Sequence, residues 1–176
     1  RVKITCSNYG IKLYWDGMEV TQGVGLNSAI NTLGLWTDSS FADWQILKKG
    51  NDYFDLKVVF KNLPLTQIWR IRIENEQEII WQLEMELEEE LHIDEFRIFC
   101  LTSPHYKTWI SSYKQGDFPC LSDNWFDIFL ENTYSPLVGV RFPKAGIYLP
   151  ALVLELKETQ PGNFYPLIQN SSSEIN

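Results

Sequence analysis

Nine residues hold the densest set of groups able to do chemistry. Trp36-Thr37-Asp38-Ser39-Ser40 and then Asp43-Trp44 bring together two indoles, two carboxylates and three hydroxyls. A sugar presents a C–H face and a rim of hydroxyls, so it needs a flat ring to cover the first and planar acceptors or hydroxyls to hold the second. In the competing arrangement Asp38 and the serines cap a turn while both indoles pack inward. A second aromatic group, Tyr106, Trp109, Tyr113 and Trp125, is interleaved with Lys107, Lys114 and Asp117 in loop-like sequence. It reads either as a binding lip of exposed rings or as a staple that fastens a long loop to the core. Trp36, Asp38, Asp43 and Trp44 are therefore the first candidate carbohydrate site, and Tyr106 and Trp109 the second.

The run Glu84, Glu86, Glu88, Glu89, Glu90, Asp94, Glu95 offers carboxylates for paired acid–base work or for calcium. Its first three members alternate along one strand face, which is the pattern of a solvated charged surface. His92 shares parity with Asp94 and is placed to hydrogen-bond to it, with no nucleophile at a matching spacing. No GxSxG, HExxH, GxxxxGK[ST] or GxGxxG motif occurs. Two histidines and three cysteines without CxxC spacing do not indicate a metal site or a disulfide framework. No catalytic residue, metal or cofactor is assigned.

The elements that must position these residues are strands. In 67–73, Trp69, Ile71 and Ile73 alternate with Arg70 and Arg72, and in 79–87 Trp81, Leu83, Met85 and Leu87 alternate with Gln82, Glu84 and Glu86. A period of two makes strands with one buried face, and the polar break at 75–78 joins them as a hairpin. Setting Arg70 opposite Glu84 predicts a register that pairs Ile71 with Leu83 and Ile73 with Trp81. The same reading gives strands at 2–6, 11–15, 18–20, 42–47, 53–60, 125–130, 137–142 and 147–156. It gives another at 91–101, with a bulge at 94–95 where parity switches. Segment 102–115 reads as a helical turn or long loop. About eleven strands with short turns and no sustained helical period predict an all-β fold, an antiparallel β-sandwich with at most short helical turns. Residues 1–160 are expected to form one domain and 161–176 an extension whose last six residues are disordered.

The chain carries 23 acidic against 15 basic residues, a formal charge of -8. That balance argues against nucleic acid or an anionic membrane surface as partner. No apolar run approaches the roughly 18 residues of a membrane span, and the reading expects a soluble protein. The chain begins at Arg1, so a piece cut from a longer protein is expected. The odd cysteine count, read as free thiols, leans towards a reducing, cytoplasmic compartment.

LPLTQIWRIRIENEQEIIWQLEME followed by LHIDEFRIFCL and YKTW resembles strands of the large β-sandwich domains that accompany carbohydrate-active enzymes, in particular the galactose-mutarotase-like supersandwich. The resemblance covers about a third of the chain and implies a supersandwich-like fold in a sugar-linked context. Mutarotase members of that superfamily use histidines with a glutamate. His92 and His105 match no such motif, so turnover is not implied. The expectation is a non-catalytic carbohydrate-recognition or accessory module whose partners are a carbohydrate and other domains of a parent protein. Its rivals are a sugar-active enzyme using paired carboxylates and a structural or protein-interaction module.

Overall fold

The computed structural model describes residues 1–120, 124–130, 137–142, 149–157 and 164–170. The protein is all-β, with sixteen strands and no α-helix among the described residues. The count exceeds the expected eleven because several strands are only three or four residues long, too short for a period of two to register in sequence. The chain divides into two compact units, 1–101 and 102–176.

The first unit opens with β1 (Val2–Cys6), β2 (Ile11–Trp15), β3 (Met18–Glu19), β4 (Thr21–Thr32) and β5 (Leu35–Asp38). A 3-10 turn at Ser39–Phe41 leads to β6 (Asp43–Lys49), β7 (Tyr53–Val59), β8 (Leu65–Ile73), β9 (Ile79–Leu87) and β10 (Glu95–Thr102). One sheet runs β1-β2-β4-β10, with β3 added to β2 and β5 to β4; the other is the meander β6-β7-β8-β9. Their inner faces carry Ile4, Ile11, Leu13, Val24 and Ile30 on one side and Leu56, Val58, Leu65, Trp69 and Ile71 on the other, all buried. The two layers meet where the Ser28 hydroxyl on β4 donates to Gln67 Oε1 on β8 at 2.8 Å.

Parity in the β8–β9 hairpin is as predicted, but the register is two residues away. Ile71 faces Trp81, Trp69 faces Leu83 and Arg70 faces Gln82. The predicted register, with Ile73 opposite Trp81, would leave seven residues, 74–80, between the last paired positions. Instead residues 74–78 form the loop, closed by Glu74 N–H donating to the Glu78 carbonyl (2.9 Å) and by Gln77 N–H donating to the Asn75 side chain (2.9 Å). Turn chemistry sets hairpin register. The Arg70–Glu84 ion pair still forms, at 2.5 Å, because long side chains span the diagonal between neighbouring strands. The expected strand at 91–93 is irregular chain, and β10 begins only at Glu95. The parity switch therefore marks a strand start, not a bulge.

Strands β4 and β5 are joined through Leu33-Gly34, with φ of 52° and 79°, and β2 and β3 through Asp16-Gly17, with 45° and 82°. Two successive left-handed residues make the tight hairpin turn that suits Asn or Asp followed by Gly. Leu33 is 85% exposed there, so it bears the left-handed penalty and gains no burial. Leu33→Asn is expected to raise stability by about 0.5–1 kcal/mol, read as a higher urea midpoint at unchanged slope.

The second unit holds β11 (Thr108–Ser111), β12 (Gln115–Asp117), β13 (Phe126–Leu130), β14 (Leu137–Arg141), β15 (Leu152–Glu155) and β16 (Leu167–Asn170). Its sheets are β12-β11-β14-β15 and the pair β13-β16. Segment 102–115, expected as a helical turn or long loop, is instead a turn at Ser103–Tyr106 followed by the β11–β12 hairpin. Part of the predicted extension is strand β16, tied to β13 by a Gln169–Asp127 hydrogen bond of 2.8 Å. The expected disorder of 171–176 falls outside the described residues.

Candidate functional site

The first candidate group lies in the first unit, and most of its polar atoms are used internally. Asp38 caps the 3-10 turn, accepting from Ser40 N–H at 2.8 Å and from the Ser40 hydroxyl. Ser39 is buried, donating to Asn27 Oδ1 at 2.5 Å and accepting from Ser28 N–H at 3.1 Å. The Trp44 indole N–H donates to the Ser39 carbonyl at 2.6 Å, and its ring meets Trp69 edge-on at 4.9 Å. Asp43 is exposed and pairs with Lys61 at 2.9 Å. Trp36 is 45% exposed, with the Arg97 guanidinium 4.4 Å from its ring centroid. For Asp38, the serines and Trp44 the arrangement is the capping and packing alternative. Trp36 alone keeps an outward indole, and one of its faces is covered by a cation.

Beneath this turn runs a polar seam that the sequence did not reveal. Asn27, Ser28, Ser39 and Gln67 are all fully buried. Gln67 Oε1 accepts from both Ser28 Oγ and the Trp69 indole N–H, the latter at 2.9 Å. Because an indole only donates, the Gln67 amide is held in one orientation. Its Nε2, like Asn27 Nδ2, has no hydrogen-bond partner among the described residues.

The second candidate group splits as well. Tyr106, read either as part of an exposed lip or as part of a staple to the core, is 3% exposed, and its hydroxyl donates to the Pro150 carbonyl at 2.9 Å. It is a core ring, because the predicted loop is a folded turn and hairpin. Trp109 is half-buried and stacked on Phe129 at 4.8 Å. It faces Gly116 across the β11–β12 pair, where a Cβ would lie 2.8 Å from the indole.

Gly116 also lines a cleft that gathers binding chemistry. The cleft, of about 550 Å³, is lined by Thr108, Gln115, Gly116, Asp117, Arg141 and Phe142. Thr108 on β11 is flanked by Asp117 on β12 and Arg141 on β14 as direct cross-strand partners, so the three project from one face. The Thr108 hydroxyl donates to Asp117 Oδ1 at 3.1 Å. Neighbouring strands lie about 4.8 Å apart, so the acid and base backbones stand about 10 Å apart. The short threonine between them lowers the floor. Sequence reading had noted Asp117 only as a spacer and had passed over Thr108, Gln115, Arg141 and Phe142. The signal for Arg141 was a lone cation inside the apolar stretch Leu137–Phe142, but its neighbours are set by strand pairing across about thirty residues.

Every carboxylate of the acidic run is exposed. Glu84 pairs with Arg70, Glu95 with Arg97 at 2.5 Å, and His92 with Asp94 at 3.0 Å. No group of three metal-ligating side chains occurs among the described residues. No helix there is long and apolar enough to cross a membrane.

Cys6, Cys100 and Cys120 are free thiols. Burial pushes the Cys6 thiol up to about 11 and that of Cys100 up to about 12, which leaves almost no thiolate at neutral pH. The thiolate is the nucleophile, so native protein at pH 8 should react with iodoacetamide at the exposed Cys120 alone. All three should react in denaturant, counted by mass spectrometry; rapid native labelling of Cys100 would contradict its burial.

Comparison with protein families, with curated proteins and with solved structures returns no match for the chain. What fold and site define is a class: an all-β protein of antiparallel sheets with a polar, charge-flanked cleft in its second unit.

Proposed function

We propose that the chain is a non-catalytic carbohydrate-recognition module, accessory to a larger carbohydrate-related protein, and that the saccharide sits in the cleft over Thr108. The Asp117–Thr108–Arg141 row carries this reading. Planar charged acceptors and donors fix sugar hydroxyls in pairs, and a shallow floor between them admits a ring. Gln115 adds a two-way amide and Phe142 an apolar wall. Asp117 is the single carboxylate among the described lining residues.

Glycan-array screening followed by calorimetry tests the reading. Asp117→Asn keeps an acceptor for Thr108 but removes the charge, and it is expected to weaken binding about 10- to 100-fold without altering the fold. Absence of binding to every glycan at millimolar concentration would overturn the proposal.

One observation favours a second reading, a module that docks other domains of its parent protein. Leu33, Leu35, Trp36 and Phe41 are all exposed along the β4–β5 hairpin and the turn that follows, a cluster that fits a contact surface. Co-expression with those domains, with and without Leu35→Ser, separates the two readings.

A further inference from the structure

Resting on the carbohydrate reading, we propose that the ligand is an acidic saccharide, with a sugar carboxylate held by Arg141 and ring hydroxyls held by Asp117 and Gln115. Arginine usage in the protein supports this. Arg70, Arg72 and Arg97 each pair with a carboxylate: Glu84 at 2.5 Å, Asp55 at 2.9 Å and Glu95 at 2.5 Å. Arg141 lies exposed in the cleft and, like the guanidinium of the N-terminal Arg1, makes no ion pair among the described residues. Its cross-strand neighbour Thr108 has its hydroxyl proton committed to Asp117. The guanidinium therefore keeps its planar fork for a ligand, and the geometry that fork matches best is a carboxylate taken through two parallel N–H bonds.

The opposite end of the row sets the orientation. Asp117 repels an anion and accepts from hydroxyls, so a ligand carrying both groups binds in one sense, acid over Arg141 and hydroxyls over Asp117. A neutral sugar would satisfy Asp117 yet leave the guanidinium with weaker, uncharged acceptors. A simple carboxylate would satisfy Arg141 and leave Asp117 unused. A uronic acid uses both ends, and the span of the row suits one ring with its substituents.

Calorimetric titration of the full chain with a glucuronate oligosaccharide, the matching glucose oligosaccharide and acetate decides the matter. The glucuronate probe is expected to bind at least about tenfold more tightly than the glucose probe. Arg141→Gln should abolish that preference, and Arg141→Lys should restore only part of it, because the charge returns without the fork. Asp117→Asn should weaken both oligosaccharides alike. Equal affinity for the two would overturn the acidic-sugar proposal while leaving carbohydrate recognition standing, and acetate binding as tightly as glucuronate would reduce Arg141 to a simple anion site. Failure of both oligosaccharides to bind would remove the underlying reading itself. Near-UV circular dichroism of each variant shows whether a loss reflects the site or the fold.

Discussion

Trp69→Ala is expected to destabilise the first unit by about 3–5 kcal/mol, the range for deleting a fully buried indole. Trp69 has no solvent exposure. Its ring lies 4.9 Å from Trp44 and 4.7 Å from Trp81, so truncation opens a cavity under two further indoles. It also removes one of the two donors that hold the Gln67 carbonyl oxygen, loosening the only buried side-chain hydrogen bond found between the sheets among the described residues. Trp36→Ala is the control, since that ring is already half in water and its contact is a single exposed cation–π pair; about 1 kcal/mol or less is expected. Chemical denaturation followed by circular dichroism reads both. Similar losses for the two variants would mean that the core is not centred on Trp69.

Gly25→Ala is expected to cost about 2–5 kcal/mol. Gly25 has φ of 71°, a left-handed conformation, and a Cβ there would run into the Ile11 carbonyl oxygen. The conformational part is worth about 1–2 kcal/mol. Relieving the overlap adds about 1–3 kcal/mol, because the obstacle is backbone held in the β2–β4 pairing. Gly17→Ala separates the parts. It shares the positive φ, at 82°, but a Cβ there meets nothing within 4 Å, so only the conformational part remains. If the two variants lose equal stability, the close approach of β2 to β4 does not exist.

Sidedness was legible in the sequence wherever a strand was long enough to repeat. Along the expected 53–60 strand Phe54, Leu56, Val58 and Phe60 alternate with Asp55 and Lys57, and the last three of these apolar residues are buried. Trp69 and Ile71 point inward while Glu84 stays wet. Register was not legible, because an exposed ion pair bridges a diagonal as readily as a direct pair and so could not choose between two pairings. Strands β11, β12 and β16 were missed since three or four residues carry no period. Gln67 holds an inward position in an otherwise apolar stripe, and its polarity gave no hint of a partner on Ser28, thirty-nine residues away.

The candidate residues suffered from the same limits. Local density of sugar-competent side chains drew attention to 36–44, where folding commits Asp38 and Trp44 to a cap and a core contact. The cleft draws on three strands separated in sequence, and only their pairing brings Asp117, Thr108 and Arg141 onto one face. Trp109 is the partial exception: it was named as a candidate, and it lies behind the cleft against Gly116 without lining it.

Chemical-shift mapping on isotope-labelled protein tests most directly whether recognition resides in this cleft. On titration with an oligosaccharide, the amide signals of Thr108, Gln115, Gly116 and Asp117 and the Arg141 side-chain Nε should move together and saturate at one affinity. Shifts confined to Trp36 and its neighbours, or none at millimolar saccharide, would contradict the account.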